Sequence, residues 1–197
     1  MNIVRVEQIL AARGIAPPDL SALVANVNNY SVLLAQPKGI IEAGPTGVHS
    51  RDRNGAHAVF SKFIGKAIET DAHIAVTPEY SLPWNTLVET LLSGKAPSSG
   101  KLWVFGCEST TLQQLEDIKA QLAPTAEVLF ESLSHEEGRF LDPLVYVFVS
   151  KELQTSARKV VLLVQFKTHP MGDPGHFEIT HLQRGTTVYQ FGGAQLS

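Results

Sequence analysis

Two apolar runs near the end of the chain, LVYVFVS (144–150) and KVVLLVQF (159–166), lie either side of a polar connector. Neither run alternates apolar with polar residues, so both read as strands with little surface left to water. A sheet of such strands needs cover, which selects a layered architecture. The segments before them supply it.

Ala56, Val59, Phe60, Phe63, Ile64, Ala67 and Ile68 follow the i, i+3, i+4, i+7 spacing of an amphipathic helix. Leu87, Val88, Leu91 and Leu92 predict a shorter helix closed by Gly94. Leu112, Leu115, Ile118 and Leu122 predict another, opened by Thr111 and Gln114 as a capping box. Between them, SVLLAQ (31–36) reads as a buried strand, HIAVTP (73–78) as the second and KLWVFGCES (101–109) as the third. EVLFESL (127–133) and TTVYQF (186–191) are further strand candidates. Residues 37–55 are rich in Gly, Pro and polar side chains and predict a long loop. Strands and helices alternate early and a strand pair comes late, so the expected fold is α/β with a mixed sheet.

Residues 1–29 predict an N-terminal helical extension, an appendage to the domain over 30–197. Ile3, Val6 and Leu10 mark one short helix, and Asp19 caps a second carrying Leu20, Leu23, Val24 and Val27.

A chain of 197 residues buries roughly 70% of its unfolded surface as one domain. The net charge of −3 and pI near 6.2 give no basic footprint for nucleic acid. Cys107 is the only cysteine, which excludes intrachain disulfides and a cysteine-rich metal cage. Arg5, Glu7 and Arg13 interrupt the apolar residues of the N-terminus, so it lacks a signal peptide's run, and no segment is long enough for a membrane span. The expectation is a cytoplasmic protein.

Three features bear on chemistry. Glu79 ends an apolar strand in AVTPEYSLPW, at the carboxyl end where open α/β sheets build their sites. Flanked by Pro78, Tyr80 and Trp84, it is either a partly desolvated base or an acid that starts a helix. Lys167 ends KVVLLVQF and either stabilises an oxyanion or reaches out to water. His169, Asp173, His176, Glu178 and His181 are capable metal ligands, yet their spacing matches no compact ligand motif. Cys107, within an apolar strand, reads as an inert buried thiol. No phosphate-binding glycine loop and no GxSxG elbow is present.

Taken in order, these stretches resemble the nitrilase, or carbon–nitrogen hydrolase, superfamily. HIAVTPEYSLPW is similar to the strand and turn that present the family's glutamate. SVLLAQP and KLWVFGCES resemble its first and third strands, and VLLVQFKTHP the stretch that delivers its lysine. FEITHLQRGTTVYQF is similar to the segment with an accessory glutamate and a glycine before the next strand. The resemblance covers about residues 30–191 and implies an α-β-β-α layered fold with a mixed sheet.

It further implies a Glu–Lys–Cys site for amide or nitrile hydrolysis, with Glu79 as base, Lys167 as charge stabiliser and Glu178 as the accessory acid. No cofactor and no metal are implied. Glu79 and Lys167 are then expected to share one hydrogen-bonded cluster.

Two departures stand out. Phe166 replaces the arginine that commonly precedes the family's lysine, and no cysteine follows Lys167, where the family carries its nucleophile. Losing a nucleophile leaves only about 10³ to 10⁴-fold catalysis over water. The expected domain is therefore incomplete at its C-terminal side: a fragment of a longer hydrolase, a non-catalytic binding or scaffold module, or half of a site completed by another chain. Expected partners are a small amide or nitrile, and further copies of the chain or a fused or partner domain.

Overall fold

The two apolar runs pair with each other. Pro143–Lys151 and Arg158–Phe166 form an antiparallel ladder in which Pro143 faces Phe166 and Lys151 faces Arg158. The computed structural model describes residues 1–24 and 30–192. In chain order its elements are β1 (Asn2–Arg5), α1 (Val6–Ala11), a 3₁₀ turn (Ser21–Leu23), β2 (Val32–Leu34), β3 (Ile41–Gly44), β4 (Gly47–Ser50) and α2 (Arg53–Glu69). There follow β5 (Ile74–Leu82), α3 (Trp84–Leu92), β6 (Leu102–Cys107), α4 (Leu112–Leu122), β7 (Ala126–Phe130), β8 (Pro143–Lys151), β9 (Arg158–Phe166), α5 (Glu178–His181) and β10 (Thr187–Gln190).

The main sheet has six strands in the order β2-β5-β6-β8-β9-β7. All its neighbours are parallel except the two pairings made by β8, so β8 alone runs against the other five. The fold is thus mixed α/β with a mixed sheet. One face carries Ala75, Trp103, Phe105, Val147 and Leu162, packed against Phe60 and Ile64 of α2, Leu87 and Leu91 of α3 and Leu115 of α4. The capping box at Thr111 and Gln114 forms as the sequence implies. No described helix is long and apolar enough to cross a membrane.

The opposite face differs from expectation. Residues 1–24 were expected to be helical, but they begin with a strand, because Asn2–Arg5 pairs in parallel with β10. Val6, Leu10, Ile15 and Leu20 are buried against Leu102, Phe148, Val161 and Leu163. This segment covers the part of the second face over β6, β8, β9 and β7. The predicted second helix is only the 3₁₀ turn, and Val27 lies outside the described residues.

Among the described residues there is no such cover over β2. Val32 and Leu34 are 45% and 68% exposed, so the strand expected to be buried is an edge strand with one wet face. Residues 37–55 are not a structureless loop but contain the β3–β4 hairpin, which turns at Pro45 and Thr46 and leaves the turn through Gly47 with φ +125°.

Leu10 is fully buried, so Leu10→Ala is expected to cost about 2–5 kcal/mol of global stability. Urea unfolding followed by circular dichroism checks it. A detachable appendage would leave the midpoint where it was.

Candidate active site

Because β8 runs against its neighbours, its first residue lies at the edge where β5, β6 and β9 end. Three chain segments therefore meet there: the end of β5 with Glu79, the approach to β8 with Asp142, and the exit of β9 with Lys167. The Lys167 backbone N–H donates to Asp142 O at 3.0 Å, which holds the last two side by side.

Glu79 starts further away. β5 is three strand steps from β9, about 14 Å at the usual spacing. The gap is narrowed by a large bulge: Thr77 pairs with Phe105 and Leu82 with Cys107, so residues 78–81 face Gly106 alone. They lie directly over it, and a Cβ at Gly106 would sit 2.6 Å from Glu79 Cα. Only glycine allows that crossing. Tyr80, inside the bulge, has φ +58°, a left-handed conformation that costs a non-glycine residue roughly 1–3 kcal/mol. Burial of its ring and a 2.6 Å hydrogen bond from its hydroxyl to Glu178 Oε1 hold it there.

At the centre is Lys167. Its Nζ donates to Glu79 Oε1 and Glu178 Oε1, both at 3.0 Å, lies 3.5 Å from Asp142 Oδ2, and sits 5.5 Å above the Tyr80 ring. Burial disfavours the ammonium, but hydrogen bonds to Glu79 and Glu178 and the charge of Asp142 outweigh it, so its pKa is raised. Burial likewise works against the Glu178 carboxylate. Donors from Tyr80, the Met171 backbone and Lys167 win, and its pKa is lowered. Tyr80 is driven far above its ordinary pKa by burial first, then by Asp142 and Glu178, and stays a neutral donor.

The structure brings Glu79, Lys167 and Glu178 together. It does not desolvate Glu79, whose side chain is 58% exposed, so of the alternatives the sequence left open the partly desolvated base is not what forms. The desolvated acids are Glu178 and Asp142, 1% and 4% exposed. Burial, then Glu79, pushes Asp142 to about 7, against the pull of Tyr80 and Lys167. Asp142 and Tyr80 are the members sequence reasoning missed. The available signal was the LDP at the foot of LVYVFVS, since an antiparallel strand starts where its parallel neighbours end.

Of the His-rich segment, only Glu178 enters the cluster. The His176 ring packs on Phe177 with centroids 4.3 Å apart, and His181 Nδ1 bonds within its own turn. Among the described residues no three His, Cys, Asp or Glu side chains are grouped to hold a metal ion. Cys107 is fully buried, and burial, then Glu108 and Asp142, pushes its thiol well above the usual range, so it is no nucleophile. A cavity of about 230 Å³ lies against the bulge, lined by Tyr80, Ser81, Phe60, Val59 and Ile40. A second, of about 640 Å³, is lined by His49, Arg53, Trp84 and Glu108 and touches none of the cluster.

Compared with protein-family models, curated proteins and solved structures, the chain finds no match. What the arrangement can do thus rests on its chemistry. It offers one exposed carboxylate, one fixed ammonium and two buried acids, a set able to move a proton and to stabilise a developing negative charge.

Lys167→Met leaves buried acids without their cation and is expected to cost about 3–5 kcal/mol near neutral pH, measured by urea unfolding. Because the folded pKa of Glu178 lies below its ordinary 4.5, its contribution is present above pH 4.5 and lost as pH falls through the folded value. Glu178→Gln is therefore expected to flatten the acid limb of the stability profile.

Proposed function

We propose that the cluster is the acid–base and charge-stabilising part of a nitrilase-like carbon–nitrogen hydrolase site, acting on an amide or nitrile. The supporting observation is Lys167 Nζ at 3.0 Å from both Glu79 Oε1 and Glu178 Oε1, at the edge where β5 and β9 end. Glu79, the exposed acid, takes the proton of an attacking thiol. Lys167 faces the oxygen or nitrogen on which negative charge builds. Glu178, buried and holding three donors, positions Lys167. The β1–β10 pair lying on the second face of the sheet fits the α-β-β-α layering of that family. A lone unpaired cysteine suits a reducing, cytoplasmic setting.

The thiol itself is not Cys107, so it comes from another polypeptide segment. This makes the acid–base half testable alone. With a small exogenous thiol and an activated anilide, the chain is expected to accelerate thiolysis. Glu79→Gln is expected to lower that rate by about 10²-fold and Lys167→Met by a similar factor. Equal rates for the wild type and Glu79→Gln would remove the hydrolytic reading.

One observation favours a second reading, a non-catalytic recognition module. The half of the second face over β2 and β5 carries Val32, Leu34, Ile74 and Val76 in register. None is charged, so two such faces meet without repulsion, and the occupant that fits is a second copy of this chain. Sedimentation is expected to show a dimer that Leu34→Asp converts to monomer. A wild-type monomer throughout would exclude this reading.

A further inference from the structure

Lys167 is surrounded by more acid than the proposed chemistry uses. Glu79, Asp142 and Glu178 all lie within 3.5 Å of one Nζ. Two of its hydrogens go to Glu79 and Glu178. Asp142 Oδ2, in a side chain only 5% exposed, is buried and receives no hydrogen bond. Its one cationic neighbour among the described residues, Nζ at 3.5 Å, is already shared by Glu79 and Glu178 at 3.0 Å, so a third buried anion there is costly. Neither of the two cavities described above is lined by Asp142, so those spaces offer it no donor.

A proton removes the difficulty. With the hydrogen on Oδ2, the orphaned acceptor becomes a donor, and Glu79, whose Oε1 lies 3.0 Å from the same Nζ that Oδ2 approaches at 3.5 Å, is the exposed carboxylate gathered at that ammonium to receive it. We infer that Asp142 and Glu79 hold one proton between them at neutral pH, Asp142 carrying it and donating to Glu79. Two anionic carboxylates then balance against Lys167 instead of three. The inference concerns where the site's proton resides and stands whether or not the cluster hydrolyses a carbon–nitrogen bond.

The charged and titratable groups around Asp142 come from every element packed on it. β5 brings Glu79 and Tyr80, the exit of β9 brings Lys167, α5 brings Glu178 through the same Nζ, and the end of β6 brings Cys107. Tyr80 and Cys107 are both held protonated, which leaves the three carboxylates and the ammonium to share the change. Glu79 and Lys167 act on Asp142 with opposite signs. Asp142 is thus a positioning residue: it fixes the orientation of Glu79, and Glu79 is the group that faces outward.

The test is a carbon-13 titration of the full chain labelled at aspartate carboxyls. One aspartate is expected to titrate near pH 7, and its signal to vanish in Asp142→Asn. Glu79→Gln, a change at an exposed position, is expected to lower that midpoint by about one pH unit or more, and Lys167→Met to raise it.

Stability supplies an independent reading that needs no turnover. Asp142 is raised from 3.8 to about 7, so its contribution to stability is present below pH 3.8 and lost as pH rises through 7. Asp142→Asn is expected to remove that decline. The inference is overturned if no aspartate titrates above pH 5, or if Glu79→Gln leaves the midpoint unmoved, because the proton would then not be shared with Glu79. Loss of thiolysis with the titration intact would count against the hydrolase reading alone.

Discussion

One ammonium at the edge of the sheet sets the terms for everything near it. Lys167 is largely removed from water and stays charged only because acids from three other parts of the chain converge on it. Each acid in turn depends on the cation: Glu178 is almost fully buried, and Asp142 nearly so. Partners this desolvated are costly to separate, so the cluster ties α5, the approach to β8, the bulge of β5 and the exit of β9 into one unit. The sheet provides the frame, and the charges decide how its loops close.

Two glycines make the approach physically possible. Gly106 lets the β5 bulge lie on the backbone of β6 and carry Glu79 towards β9. Gly185 donates its N–H to Lys167 O at 2.9 Å, and a Cβ there would meet Phe166 Cβ at 2.8 Å. The strained Tyr80 sits between them, its hydroxyl spent on Glu178. Strain held by burial and a short hydrogen bond is a common mark of a site whose geometry matters more than its local energy. Such a site is rigid where it is buried and open only at Glu79.

Much of the framework was legible in the sequence. The helix through Phe60 and Ile64, the capped helix after Thr111 and the two long strands all carry local signals, because amphipathic spacing and cap chemistry act within a few residues. The hairpin over 41–50 was not legible, since Gly, Pro and polar residues suit a loop and a short exposed hairpin alike. Nor was the place of residues 1–24. Val6 and Leu10 look the same in a detached helix as in one that covers a sheet. Glu79, Lys167 and Glu178 could be singled out, whereas for Asp142 the LDP at the foot of LVYVFVS marks only where a strand starts and does not speak of a distant ammonium.

What the sequence determined by itself was the longer helices and the long apolar strands, and which side chains have chemistry to offer, because those depend on neighbours close along the chain. Tertiary structure alone decided the rest: that β8 runs against the other strands, that a bulge carries Glu79 across β6, and that Asp142 and Glu178 rather than Glu79 are the desolvated acids. Burial and charge act through space, in this cluster between residues 88 and 98 positions apart, and no local pattern encodes them.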